Sequence, residues 1–337
     1  MEVGMKKKQI VIVGAGISGL YLALLLQESY EVKILEARSR IGGRIHSIKG
    51  HDMGPSWIWA HQKNALELCN TLGIKLFAQY TQGYALYDTQ EKLEIFMPPP
   101  SQSSARVDGS LSFLIQKLKE RLGSCEIILN TQVTQIQLIQ EQTLIHTRSK
   151  EYMADYTILT PPPRLSAKLD FTPELPSKLL TKMQNTQTWM GNSAKCVIEF
   201  KKAFWREKSL SGFVFSHLGP LGEIHDACTK DKAALFGFVN LHADMSSLEE
   251  DVKKQIKRVF DIDESEITAI YVVDWKNETF SSVSEDSQGL RAHPSYGIDT
   301  QEYSNKILFS STEFSYEEGG YIEGAIVQAK KIASYLL

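Results

Sequence analysis

The 337-residue sequence predicts an α/β fold built from two interleaved domains, and three observations carry that prediction. A β-branched run at 9–13 leads through a glycine-rich turn into an apolar stretch at 18–29 and a second β-branched run at 31–35. Segments of helical period then alternate with strand-like runs along the rest of the chain. The length itself corresponds to about two domains at roughly 150 residues each, enough to bury a core without disulfide or metal staples.

Each element has its own justification. The run Gln9, Ile10, Val11, Ile12, Val13 reads as a buried parallel strand, and 31–35 as its neighbour. The nearly all-apolar stretch between them reads as a helix packed on a sheet. Leu111, Leu114, Ile115, Leu118 and Leu122 repeat at helical spacing, as do Leu248, Val252, Ile256, Val259 and Phe260. Ser246 and Glu249 are spaced as a capping box for the second of these. A last helix places Ile322, Ala325, Ile326, Ala329, Ile332, Ala333 and Leu336 on one face. Strand-like runs fall at 126–129, 134–139, 143–147, 156–159, 196–200, 267–273 and 306–310. Prolines at 98–100 and 161–163 cannot sit inside helices or central strands and read as crossovers between domains.

Composition narrows the function class. With 37 basic and 40 acidic side chains the net charge is -3, which argues against nucleic acid as a partner. Cys69, Cys125, Cys196 and Cys228 are widely spaced, so neither a zinc site nor a disulfide framework is expected, and a reducing, cytoplasmic setting fits. Lys6, Lys7 and Lys8 before the uncharged stretch 9–27 imitate a targeting segment. Glycines, a serine and a tyrosine interrupt that stretch, and it is short for a bilayer. No membrane anchor is expected. The eight histidines show no metal-ligand spacing.

Gly14, Gly16 and Gly19 form G-x-G-x-x-G between the first strand and the first helix. The first permits the tight turn, the second admits a pyrophosphate to the backbone, and the third lets helix and strand pack closely. Ile17 and Ser18 begin the helix whose free N–H groups would face the phosphate. Glu36 ends the second strand, where a carboxylate accepts both ribose hydroxyls. This Rossmann-like unit leaves NAD and FAD both open. Beyond it lie Ala37, Arg38, Gly42, Gly43 and Arg44, a glycine pair that lets chain run beside a cofactor and an arginine that supplies a fixed cation.

From these residues onward the sequence resembles the FAD-dependent amine oxidases, the group of monoamine and polyamine oxidases. Asp52, Gly54, Pro55, Ser56, Trp57 and Ile58 are similar to the family's D-x-G-G-x-W-I segment along the flavin, with Pro55 replacing the second glycine. Val133 sits where the family binds adenine through backbone groups. Residues 154–162 resemble the strand that closes the FAD domain. Phe309 to Glu313, then Gly320, Tyr321, Ile322, Glu323, Gly324 and Ala325, resemble F-A-G-x-E … G-Y-x-E-G-A, with Ser311 replacing the glycine. The resemblance implies that Glu313 faces the ribityl–pyrophosphate region. It also implies that the last helix points its N-terminus at the flavin pyrimidine, where negative charge develops on reduction.

The same resemblance supplies candidates for the chemistry. Gly191 to Lys195, followed by Phe204 and Trp205, is similar to the family's G-x-x-x-K strand. It implies that Lys195 holds a water near flavin N5 and assists reoxidation; alone, Lys195 reads as a strand lysine facing solvent. Tyr321 corresponds to one aromatic wall of the amine site. The second wall is a loose match to Ser284 and Glu285. Glu285 would bind a cationic amine if it faced the cavity, and otherwise belongs with Asp286 to a solvated loop. No cysteine stands where covalently linked members carry one, so FAD is expected to be non-covalent.

The expected architecture is a GR2-type FAD-binding domain over 1–77, 107–165 and 286–337, with a smaller substrate domain over 78–106 and 166–285. The implied reaction is oxidation of an amine C–N bond by hydride transfer to flavin N5, with oxygen reduced to hydrogen peroxide. Three alternatives stay open: a flavin desaturase or dehydrogenase using another acceptor, an NAD-dependent reductase, and a non-catalytic FAD-binding member. Family members usually carry a helical insertion that 78–106 is too short to hold, so a smaller or more open amine cavity is expected. The oligomeric state is left open.

Overall fold

A computed structural model describes residues 7–100, 102–287, 293–300 and 303–337. Lys6, and Gly289 at the end of the serine-rich stretch, lie outside the described residues. The apolar start of the chain is the strand Gln9–Val13 and the ten-residue helix Ile17–Leu26. Among the described residues no helix is long and apolar enough to cross a membrane.

Gln9–Val13 is central in a five-stranded parallel sheet ordered Glu126–Ile128, Glu31–Leu35, Gln9–Val13, Tyr156–Leu159, Ile307–Phe309. Alternation along the first strand sorts the two faces. Ile10 and Ile12 point into a core with the helices Ile17–Leu26, Leu111–Glu120 and Ile322–Leu336. Val11 and Val13 point into a second core, with Ile136 and Ile145, under a four-stranded sheet. That sheet pairs Glu151–Ala154, Gln142–Thr147 and Val133–Ile139 in antiparallel fashion and adds Asp170–Thr172 in parallel. The ends of the chain meet here: Ser18 Oγ donates to the carbonyl of Ser310, and the Tyr30 hydroxyl to that of Leu336.

A seven-stranded sheet forms the second unit, ordered Ile267–Asp274, Ala194–Phe200, Ala233–Val239, Leu221–Asp226, Leu210–Ser216, Tyr84–Asp88, Leu93–Phe96. Its pairing is antiparallel except between Leu210–Ser216 and Tyr84–Asp88. The helix Leu248–Phe260 covers one face, burying Leu248, Val252, Ile256, Val259 and Phe260 against Ile198, Val214, Ile224 and Leu235. A smaller sheet of Ile58–Trp59, Ser104–Val107 and Leu76–Ala78 joins the units.

Several expectations need correction. The helix at 248 starts after Ser247, not Ser246, and no side chain caps it. Ser246 instead bonds Asp244, and Glu249 pairs with Lys253 on the exposed surface. Residues 170–185, expected in the substrate domain, pack with the first: Leu175, Leu179 and Met183 share the core of Val11 and Val13. Edge pairing of Asp170–Thr172 with Val133–Ile139 carries that segment across the boundary drawn at 165. Pro163 is not a break but the first residue of the short helix Pro163–Ser166, where its missing N–H costs nothing.

Candidate active site

A cavity of about 700 Å³ runs between the two units. Most of the positions singled out from sequence line it, and they arrive from stretches far apart in the chain. Gly14, Gly16, Ile17 and Ser18 line it from the glycine turn, Glu36, Ala37, Arg38 and Val133 from the second strand and the start of the four-stranded sheet, and Gly43, Arg44, Gly54 to Trp57, Lys195, Tyr321 and Ile322 from further along the chain.

The dinucleotide end is built on close backbone approach. Gly14 has φ +102°, and a Cβ there would fall 2.4 Å from Thr160 Oγ1. Gly43, at φ +59°, lies against Gly16, and a Cβ there would sit 3.2 Å from the Gly16 Cα; Gly42 bridges to Gly16 alongside. Gly19 does not line the cavity. A Cβ there would collide with the Gly14 carbonyl at 2.1 Å, which is the helix–strand packing role. The Glu36 carboxylate is held by the N–H groups of Ala15 (2.8 Å) and Arg38 (2.9 Å). Arg38 binds Ser281 Oγ through one nitrogen, while its buried Nε has no partner.

Arg44 is fixed by Glu313, with Nη1–Oε1 at 2.6 Å and Nη2–Oε2 at 3.3 Å. Glu313 is fully buried and does not reach the cavity itself; it acts through the arginine. Ser311, the departure from the family pattern, donates its hydroxyl to Glu313 Oε2 at 2.8 Å and so joins this pair. Tyr321 caps the final helix, and Ile322 and Ala325 bring its first turn to the cavity wall. The first-turn N–H groups of a helix have no intrahelical acceptor and favour negative charge. Glu323 serves elsewhere: its carboxylate accepts the N–H groups of Asn64 and Ala65 and so starts the helix Lys63–Thr71.

Lys195 lies in the sheet interior and is 3% exposed. Its Nζ donates to the carbonyl of Gly54 (2.9 Å) and to Ser56 Oγ (2.5 Å), and stands 4.1 Å from the centre of the Phe236 ring. Burial pulls its pKa down to about 7, against the opposing attraction of Asp52. Asp52 is itself buried and pushed up by burial; its Oδ1 accepts from Leu111 N and Ser47 Oγ, and its Oδ2 is unpartnered. Trp57 Nε1 donates to Gln79 at 2.8 Å, and its ring meets His225 and Phe236.

Glu285 is the misplaced candidate. In the short turn Ser284–Ser287 it is Asp286 that points inward, binding Arg164 (2.7 Å), Thr188 N (3.2 Å) and Val283 N (3.1 Å). That anchor turns Glu285 out to solvent, where it meets Ser284 and Lys168. Asp286 is therefore no solvated loop residue, and Phe280 to Ser282 cover the Arg38 end. Trp189 also lines the cavity, and His293 stands between it and Tyr321, stacking on Tyr321 at 5.0 Å and meeting Trp189 at 4.6 Å. Sequence reading also missed Glu223, on the strand Leu221–Asp226, where a bulge between Leu221 and Glu223 breaks the alternation that would have marked it.

The residues fit FAD. The glycine cradle, the orphaned Arg38 Nε, the Glu36 carboxylate and the fixed Arg44 cation match a ribose, a pyrophosphate and an adenine edge. None of the four cysteines lines the cavity. Among the described residues no group of side chains could hold a metal ion.

Comparison with known proteins agrees. Residues 12–72 match the NAD(P)-binding Rossmann-like domain. The flavin-containing amine oxidase A of dog is 23% identical over an alignment of 450 residues that covers 97% of this chain and 84% of the relative. The human amine oxidase B is 21% identical, covering 98% and 86%. Both alignments are longer than this chain, so the relatives carry internal segments it lacks. In fold the chain is similar to a putrescine oxidase solved with putrescine (TM-score 0.81, 18% identity, 98% and 99% covered). It is likewise similar to the cyclohexylamine oxidase of Brevibacterium oxydans IH-35A (TM-score 0.83, 16% identity, 97% and 98% covered). The family model for flavin containing amine oxidoreductases matches residues 85–337, well over half of the sequence. The chain belongs to that family, and the cofactor that goes with membership is FAD.

Proposed function

We propose that this chain oxidises a small amine at the Lys195–Tyr321 end of the cavity, with oxygen as acceptor and hydrogen peroxide as product. The observation that carries the reading is Lys195: a buried lysine tied to the Gly54–Ser56 floor and titrating near neutrality. FAD, when bound, supplies the acceptor for the two electrons and the α-hydrogen of the amine. Gly14, Gly16, Gly43 and Arg44 would hold its pyrophosphate, Glu36 its ribose, and Val133 its adenine. Its attachment is non-covalent on this reading, since every cysteine lies elsewhere.

The chain's own residues do the rest. Trp57, Phe236, Phe238, Trp189 and Tyr321 exclude water, which favours the neutral amine. With a pKa of about 7, Lys195 is partly protonated near neutrality; the ammonium form can give its Nζ proton to reduced oxygen and the neutral amine can take one back from water. The helix starting at Ile322 directs its N–H groups toward developing negative charge. The imine product leaves and hydrolyses in water. Four free thiols support a cytoplasmic setting.

The test is anaerobic mixing of the FAD-loaded protein with a panel of amines. Loss of flavin absorbance followed by peroxide on admitting air is expected. Purified protein that takes up no flavin, or a flavin that no amine reduces, ends the proposal.

A further inference from the structure

Where the two units meet, Lys195 has two charged neighbours that do not line the cavity, Asp52 and Arg106. Each is 4% exposed. They come from separate pieces of the fold. Asp52 ends the hairpin that pairs Ser47–Ile48 with His51–Asp52, and Arg106 lies on the strand Ser104–Val107 of the joining sheet. Arg106 Nη1 donates to the carbonyl of Cys228 at 2.9 Å, its guanidinium lies 5.4 Å from the centre of the Phe77 ring, and its buried Nε has no partner.

Asp52 also starts the helix Leu111–Glu120. Its Oδ1 accepts the N–H of Leu111 at 2.8 Å and the hydroxyl of Ser47 at 3.0 Å. Ser110, at the cap position, makes no side-chain bond, and no acidic residue stands in that helix's first turn. Capping needs only a side-chain oxygen, and asparagine caps as well as aspartate. Here Oδ1 alone meets both donors, which leaves Oδ2 buried and unpartnered. A carboxylate in that position is costly to retain unless cations face it. Burial pushes the Asp52 pKa up, while Lys195, the Leu111 N–H, Arg106 and Ser47 all favour its charged form. On Lys195, burial pulls the pKa down, Asp52 pulls it up and Arg106 pulls it down. The other charged groups nearby are committed elsewhere. Further along the Lys195 strand, Glu199 is held at 2.5 Å by both Lys232 and His51, whose ring packs on Tyr271 and whose own pKa burial lowers. Two strands across from Lys195, Glu223 is held by His225 at 2.5 Å.

We infer that Asp52 is a positioning residue whose charge, and not only its capping bond, holds the Lys195 ammonium in its protonated form opposite Arg106. It acts through Lys195. This rests on the amine-oxidising reading only for the use to which the Lys195 proton is put. With Asp52 ionised, one buried anion answers two buried cations. With the charge deleted, Lys195 is the group that gives way, because a guanidinium holds its proton far more tightly than an ammonium does.

The experiment is Asp52→Asn, which keeps an oxygen for Leu111 and Ser47 and deletes the charge. The FAD-loaded proteins are isotope-labelled at the lysine ε-carbon and the aspartate γ-carbon and titrated by NMR, with Lys195→Met identifying the Lys195 signal. The Lys195 midpoint, at about 7 in the unmodified protein, should fall by about one pH unit or more in Asp52→Asn. That cuts the ammonium fraction at neutrality about fivefold. The pH profile of reoxidation by oxygen, after reducing the flavin with light rather than an amine, should move to lower pH by the same amount. FAD content and circular dichroism show whether the fold is intact. An unmoved midpoint in an intact variant overturns the inference and leaves Asp52 as a helix cap. In the unmodified protein one aspartate carbon should respond at the Lys195 midpoint while remaining a carboxylate. No such carbon, or one protonated at neutrality, overturns the inference even if the variant fails to load FAD. A moved midpoint with an unmoved reoxidation profile upholds the hold of Asp52 on Lys195 and ends the oxygen role of Lys195. Should no amine bleach the flavin, the amine reading falls while the titrations still decide Asp52.

Discussion

Replacing Lys195 with methionine should remove the rise of stability with pH that the lysine contributes between neutrality and alkali. An ordinary lysine titrates near 10.5, and this one at about 7, because burial penalises its ammonium. Between those two values the folded chain binds fewer protons than the unfolded chain, so the lysine makes stability rise with pH across that window. The gap of about 3.5 pH units corresponds to a cost of about 5 kcal/mol below pH 7. Methionine removes that cost. It also removes the bonds to Gly54 and Ser56 and the contact with the Phe236 ring, together about 2–3 kcal/mol. Removing the ammonium also leaves buried Asp52 without the cation that most favours its charged form. The difference between the two proteins should therefore move in favour of the unmodified protein by about 1.4 kcal/mol per pH unit between neutrality and pH 10.5. Urea denaturation of both proteins at one FAD concentration, from neutrality upward, measures this. A constant offset between the two curves would refute the reasoning, since it would mean that Lys195 titrates as a hydrated lysine does.

Two further outcomes are expected. Glu313→Ala leaves Arg44 without its partner and should cost about 3 kcal/mol, with loss of FAD retention; thermal melting and flavin content of the purified protein check both. Gly43→Ala places a Cβ 3.2 Å from the Gly16 Cα at a positive φ, so FAD affinity measured by titration of the apoprotein should fall about tenfold or more.

The dinucleotide half of the molecule was legible because its signals are local. A strand, three glycines at fixed offsets and a carboxylate at the end of the next strand leave little freedom in what they build. The substrate sheet was legible only at 196–200 and 267–273, and the reason is physical. Leu210–Ser216, Leu221–Asp226 and Ala233–Val239 each contain a glycine and bury apolar residues on one face while aromatic and charged residues fill the other. Neither a clean alternation nor a continuous apolar run survives that mixture. Glu285 and Asp286 show a second limit. They are adjacent and alike in chemistry, and only the position of Arg164, 122 residues away from Asp286 in sequence, decides which one turns inward. Ser311 shows the converse: read as a departure from a pattern, it is a hydroxyl that braces the Glu313–Arg44 pair.

The meeting of the chain's two ends has a consequence for its synthesis. Ser18 and Ser310 are 292 residues apart, and Tyr30 and Leu336 are 306 apart, yet each pair is bonded in the same core. During translation the early strands and the glycine turn emerge first and must wait for their last sheet neighbour, Ile307–Phe309, and for the helix that covers them. Until then the strand Tyr156–Leu159 offers an unpaired edge and the phosphate cradle lacks one wall. A chain broken off before Ile307–Phe309 is thus a poor flavin binder with a sticky edge.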